Sequence, residues 1–150
     1  MPESPTVRAA RLVLAFDFGK RRIGVACGDT LSRSASPLAT LAAGPDGPPW
    51  AAIDALLRDW QPALAVVGLP YNADGSERAI AAEARDFAAQ LAKRCRMPVE
   101  LVDERYSSLE AAARLRDARA AGVRRRRVAK SDVDAAAACV ILERWIEERT

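Results

Sequence analysis

Asp17 lies inside the otherwise apolar stretch LVLAFDFGKRRIGVACGD, residues 12–29. An ionised carboxylate withdrawn from water is costly unless something pairs with it. Either a strand ends there or the residue has a partner. Two further acids stand at comparable junctions. Glu104, in LVDERYSS, ends an apolar run, and Asp134, in KSDVDAAAA, opens a helical pattern. Three carboxylates converging on one point repel one another and resist ionisation, and a divalent cation relieves that. An oxygen-rich carboxylate site suits Mg²⁺ or Mn²⁺. Two such ions about 4 Å apart can activate a water and stabilise the leaving oxygen of a phosphodiester. Asp17, Glu104 and Asp134 are therefore the candidate catalytic residues and metal ligands, with Asp132 and Asp103 as competitors for the ligand roles. Each acid also has a plainer reading. Asp17 could be a turn residue, Glu104 could pair with Arg105, and Ser131 with Asp134 could form a capping box.

The composition narrows the chemistry. The chain has no histidine, which removes Ser-His-Asp and Cys-His nucleophilic catalysis and every histidine-ligated metal site. Three cysteines, Cys27, Cys95 and Cys139, are far apart and form no C-x-x-C pair, so buried free thiols are expected rather than a zinc cluster or a disulfide framework. A length of 150 residues, 50% of them hydrophobic, suits one globular domain spanning 1–150, with residues 1–10 a loose N-terminal tail. No apolar run approaches the roughly 20 residues of a membrane span, and the N-terminus lacks a signal peptide's apolar core. A cytoplasmic protein without a membrane partner is expected.

Charge is unevenly spread. Between Arg105 and Lys130 there are nine basic residues against two acidic ones, whereas between Ser34 and Glu104 there are six basic and ten acidic. Such a local surplus fits a polyanionic partner better than the net charge of +3 does. Arg124, Arg125, Arg126, Arg127 and Lys130 would hold backbone phosphates, with Arg105, Lys20, Arg22 and Asn72 as further nucleic-acid contacts. Tyr71, Tyr106 and Trp50 could stack on bases, although Trp50, beside a Pro-rich loop, could equally cover the core.

Several elements must position these residues. Leu12–Phe18 and Arg22–Gly28 read as strands of a hairpin turning at Gly19–Arg21, and Ser36–Leu41 as a third strand. GPDGPP, residues 44–49, is a loop. Ile53, Leu56, Leu57 and Trp60 then share a helical face. The continuous apolar run Ala63–Gly68 is a strand buried on both faces. A helix is predicted from about Ser76 to Arg94 with Ile80, Ala84, Phe87, Ala88 and Leu91 on its inner face, then a strand over Pro98–Val102. A capped helix from Ser107 to about Gly122 and a last helix from Asp132 to about Glu148 complete the order β-β-β-α-β-α-β-α-α. This is an α/β chain with a mixed five-stranded sheet and helices on both faces. Sites in such folds form at strand carboxyl ends.

The motifs AFDFGKRRIGVACGD at 15–29, GLPYNADGSE at 68–77, VDERYSS at 102–108 and KSDVDAAAACVILE at 130–143 together resemble the YqgF/RuvX family of Holliday-junction resolvase-like proteins, described as pre-16S rRNA nucleases. They span nearly the whole chain in the family's order. The resemblance implies an RNase H-like fold and places Asp17, Glu104 and Asp134 at the family's acidic catalytic positions. Arg22 matches the basic position of the first motif, and Asn72, Asp74 and Gly75 match the loop after the fourth strand. It further implies a Mg²⁺- or Mn²⁺-dependent endonuclease acting on structured nucleic acid, with RNA favoured over branched DNA. Pre-16S rRNA in ribosomal precursor particles is the implied target. Tyr106 stands where the family commonly has leucine, and the 124–130 loop is more basic than the family's.

Two rival classes bear on the same residues. DFGKRRIGV is also similar to the first phosphate loop of actin-like and sugar-kinase ATPases, but those need a duplicated domain and this chain carries no second D-x-G motif. A non-catalytic ribosome-assembly factor that binds nucleic acid would not require the acids that are present. Resolving a four-way DNA junction would need a twofold dimer, whereas RNA processing is compatible with a monomer or a homodimer.

Overall fold

The computed structural model describes residues 11–70, 79–103, 113 and 130–148. The expected tail at 1–10 and nearly all of the helix expected over 107–122 lie outside them. Five strands form one sheet: β1 (Leu12–Asp17), β2 (Arg22–Asp29), β3 (Ser34–Ala42), β4 (Leu64–Leu69) and β5 (Val99–Asp103), in the spatial order β3-β2-β1-β4-β5. β1, β2 and β3 pair antiparallel, while β4 and β5 run parallel to β1 and to each other. β1 is therefore central, and its carboxyl end carries Asp17. β3 begins two residues before the expected Ser36. It is an edge strand, and it tolerates Pro37 beside an irregularity in its pairing with β2 between Val25 and Ala26.

Alternation along the strands sorts the core into two layers. Val13, Ala15, Ala26, Leu64, Val66 and Val102 meet Ala138, Ile141, Leu142 and Trp145 of α3 (Lys130–Glu148) on one face. Leu14, Phe16, Ile23, Val25, Ala65 and Val67 meet α1 (Trp50–Trp60) and α2 (Ala81–Cys95) on the other. β4 is buried along its whole length, as its continuous apolar run predicts.

α2 starts at Ala81 rather than near Ser76. Its first helical bond, from the Ala84 N–H to the Ile80 carbonyl, is 3.0 Å long, and Ala79 and Ile80 lie in a turn. α3 starts two residues earlier than expected, at Lys130. Trp60 closes α1 just before Gln61, whose left-handed backbone (φ 46°) ends the helix. It is left 37% exposed, so the helix buries Ile53 instead of the full predicted face. Trp50 covers the core: its ring stacks on Phe87 at 5.3 Å, and the Arg94 guanidinium lies 4.7 Å above it.

Arg94 also clasps Asp54 of α1, with Nη2 donating to Oδ2 at 2.6 Å and Nε to Oδ1 at 3.2 Å. This bond holds the Asp54 carboxyl below its ordinary value of 3.8. A depressed carboxylate contributes stability above its unfolded pKa and loses it as pH falls through the folded one. Because the pair is exposed, the contribution is small. Asp54→Asn is expected to approach the parent's melting temperature as pH falls through the lowered folded-state value, where Asp54 takes up its proton. Just above pH 4 it should fall below the parent by no more than a few degrees. Paired thermal melts across pH 2–7 check this.

The thiols depart from the expectation of full burial. Cys139 is buried, whereas Cys27 and Cys95 are half-buried. None of the three is in a disulfide, and burial raises the pKa of both Cys27 and Cys95. A raised thiol pKa leaves little of the nucleophilic thiolate at neutral pH.

Candidate active site

The last residue of β1 and the first turns of α3 come together at one end of the sheet. Asp17 pairs in register with Gly24 of β2. Directly opposed residues of an antiparallel pair project from the same face. That face is the α3 face, because Val13 and Ala15 precede Asp17 at alternate positions and both pack against α3. Gly24 is where α3 touches down: a Cβ added there would collide with the carbonyl carbon and oxygen of Asp134 and come within 3.0 Å of the Ala135 nitrogen. Four residues along β2, a Cβ on Gly28 would meet Leu142 Cδ2 at 2.7 Å. The helix thus runs along β2 with its beginning over the carboxyl end of β1.

Side chains complete the junction. Arg22, first residue of β2 and on the same face as Gly24, donates from Nε to Asp134 Oδ2 at 2.6 Å. The pair is partly shielded, with side-chain exposures of 36% and 24%. It joins residues 112 positions apart. At its other end α3 is tied to β5: Arg144 Nη1 donates to the Asp103 carbonyl at 2.9 Å, and Trp145 Nε1 to Glu100 Oε1 at 3.2 Å. α3 is therefore held at both ends, which makes the placing of Asp134 rigid.

The competing assignments separate in part. Glu100 and Val102 face α3, so by alternation Asp103 belongs to the opposite, α2-side face and does not share one with Asp17. Asp134 is the fifth residue of α3 and Ser131 the second. The Ser131 side chain lies outside the described residues, and the Asp134 carboxylate is engaged by Arg22. Lys20 is not brought to the carboxylates: its Nζ lies 3.5 Å from Glu83 of α2. Trp50, packed on the α1/α2 side, is not presented beside Asp17 as a base platform. Glu104, Asn72, Arg105, Arg124, Arg125, Arg126, Arg127, Tyr71 and Tyr106 lie outside the described residues, as do the side chains of Lys130 and Asp132. Among the described residues no three acids, cysteines or histidines cluster closely enough to hold a metal ion. The described part of the candidate site is the pair Asp17 and Asp134 with Arg22 and Gly24.

Two hollows lie elsewhere. One of about 330 Å³ sits behind Phe18, Gly19 and Lys20, against Phe87 and Gln90 of α2. Another of about 540 Å³ lies between the ends of α1 and α2, around Asp54, Arg58 and Cys95. Neither is lined by Asp17 or Asp134. No described helix is long and apolar enough to cross a membrane.

Gly24 was not singled out from the sequence. Its signal was there: an isolated glycine inside an apolar strand pattern marks a close backbone approach. What approaches it could not be read locally.

Comparison with known proteins bears on the family and the fold. Residues 11–148 match the RuvX family, described as Holliday junction resolvase. A protein of Xylella fastidiosa (strain M23) named "Putative pre-16S rRNA nuclease" is 47% identical over 148 residues, covering 99% of this chain and 95% of the relative. A protein of the same name from Edwardsiella ictaluri is 48% identical over 139 residues, covering 93% and 96%. Among solved structures, Thermus thermophilus RuvC in complex with a Holliday junction substrate superposes with a TM-score of 0.55 at 17% identity, covering 93% of this chain and 95% of that one. The mixed sheet with its central acid-bearing strand is the RNase H-like fold, and the chain belongs to the RuvX family of nucleases.

Proposed function

We propose that this protein is a Mg²⁺- or Mn²⁺-dependent endonuclease that hydrolyses phosphodiester bonds of structured RNA, processing the 5′ end of pre-16S rRNA in ribosomal precursor particles in the cytoplasm. The observation that carries the reading is the convergence of Asp17 and Asp134 on one face at the carboxyl end of the central strand. The preference for RNA draws on the names of relatives at 47–48% identity. The family description and the RuvC likeness favour a four-way DNA junction as the second substrate to test.

The donor set fits a hard divalent cation. Both described acids offer only oxygen, and Mg²⁺ is typically held by one or two carboxylates together with water and substrate phosphates. The charge pattern fits too, since Asp134 already takes a cationic partner at 2.6 Å. Asp17 and Asp134 would hold the ion, with Glu104 as third ligand and Asp132 as a further candidate. When bound, the cation would activate the attacking water and stabilise charge on the phosphoryl oxygens. The protein's own residues do the rest. β1 and β2 fix Asp17 by their ladder, the close approach at Gly24 fixes the backbone of Asp134, and Arg22 pairs with its carboxylate. Neither acid needs histidine as a base. Arg124 to Arg127 and Lys130, with Arg105 and Asn72, would bind backbone phosphates and so position the substrate.

The test is a cleavage assay with Mn²⁺ or Mg²⁺ on a structured rRNA precursor, single-stranded RNA and a four-way DNA junction, with EDTA as control. Metal-dependent cutting of the precursor supports the reading. Binding without cutting of any substrate overturns it in favour of a scaffold role. Neutralising Arg124 to Arg127 is expected to weaken RNA binding uniformly across sequences. The slope of log affinity against log salt should flatten by up to about 3, at roughly 0.7 per lost contact to single strands. Filter binding across a salt series checks this, and an unchanged slope places the binding surface elsewhere.

A further inference from the structure

We propose that Arg22 is a built-in stand-in for the divalent cation: its guanidinium neutralises Asp134 in the metal-free protein and is displaced from that carboxylate when the cation binds. The inference rests on the reading of Asp17 and Asp134 as ligands. Three observations carry it. First, the guanidinium touches the atom a cation would need, with Nε 2.6 Å from Asp134 Oδ2. Secondly, Arg22 is not what fixes the position of Asp134. The backbone at Asp134 is already pinned on Gly24, where not even a methyl group fits between helix and strand. The far end of α3 is pinned separately through Arg144 and Trp145. What Arg22 adds is therefore charge rather than placement. The charge it adds sits directly on the Asp134 carboxylate.

Thirdly, the contact is built to be exchanged. Arginine and carboxylate reach their strongest, most directional pairing as a two-bond fork. The described contact between Arg22 and Asp134 is a single bond through Nε. The pair is also partly open to water, at 36% and 24% side-chain exposure, so the guanidinium can be rehydrated as it leaves. A doubly charged ion competing for the same oxygen would displace a single partly solvated guanidinium. The carboxylate thus keeps a cationic partner in both states, and its geometry need not change between them.

Arg22 is a charge-compensating residue in this scheme. Its test reads metal affinity directly, in the absence of nucleic acid. Mn²⁺ is titrated calorimetrically into wild type, Arg22→Gln, Arg22→Lys and Asp17→Asn, with a thermal melt of each metal-free protein. Removing the competing charge should tighten Mn²⁺ binding in Arg22→Gln by roughly three- to fivefold, the upper part of the range expected for one part-exposed charged contact. Arg22→Lys keeps a cation at the position and should remain within about twofold of wild type. Unchanged or weaker Mn²⁺ binding in Arg22→Gln overturns the proposal, as does equal tightening in Arg22→Lys, which would mean that charge is not the cause. Asp17→Asn separates the two levels. If it leaves Mn²⁺ affinity intact, the ligand reading of the site falls, and this inference with it. If Asp17→Asn abolishes binding while Arg22→Gln weakens it, only the stand-in role falls.

Discussion

Asp17→Asn is expected to abolish cleavage, lowering the rate by at least about a thousandfold, while the protein folds and still binds nucleic acid. A thousandfold corresponds to about 4 kcal/mol of transition-state stabilisation, within the several kcal/mol a divalent cation supplies to phosphoryl transfer. Asparagine has the shape of aspartate, so β1 keeps its register with Gly24 and its neighbours Val13 and Ala15 keep their packing against α3. What changes is the charge at the carboxyl end of the central strand. Single-turnover cleavage in Mn²⁺, alongside a binding isotherm and a melting curve, separates the outcomes. Turnover at the wild-type rate would remove Asp17 from the mechanism. Loss of folding together with activity would mean that the carboxylate is structural.

Gly24→Ala is expected to be the most disruptive single methyl group in the described residues near the site. The added carbon falls on the Asp134 carbonyl and close to the next peptide nitrogen. Those are backbone atoms in the middle of a helix turn, and they cannot rotate away as a side chain would. α3 must lift from β2 or tilt, and it is anchored to β5 at its other end. Overpacking of this kind costs about 3 kcal/mol, or a fall in melting temperature of about 6–12 °C for a chain of this length. The same movement carries Asp134 away from Arg22 and Asp17, so activity should fall by far more than the fraction of unfolded protein explains. Thermal melting with activity measured well below the transition checks this. Gly28→Ala is expected to be costly as well, because its added carbon would lie 2.5 Å from the Ser34 carbonyl oxygen besides meeting the flexible end of Leu142, but it does not touch the backbone that carries Asp134.

Much of this architecture is written in local pattern. The short apolar runs in LVLAFD and RIGVACGD, separated by turn residues 19–21, announce two strands of a hairpin. The unbroken apolar run of β4 announces burial on both faces, and the spacing of Ala84, Phe87, Ala88 and Leu91 announces the inner side of α2. The absence of histidine and the three acids at element junctions pointed to all-carboxylate chemistry before any contact was visible. These signals are legible because they depend on periods of two or 3.6 residues within one element.

The site itself depends on which element meets which, and no local period encodes that. Nothing near Arg22 in the chain says that its partner is Asp134 and not a phosphate; the two meet because α3 lies along β2. Lys20, equally basic and two residues earlier, turns to Glu83 on the other side of the sheet. Trp60, apolar and at helical spacing, is left partly in solvent because α1 ends there. The side-chain type announces what chemistry a residue can do. Close contact between elements distant in sequence, down to the one glycine that lets a helix settle on a strand, selects which residues do it together.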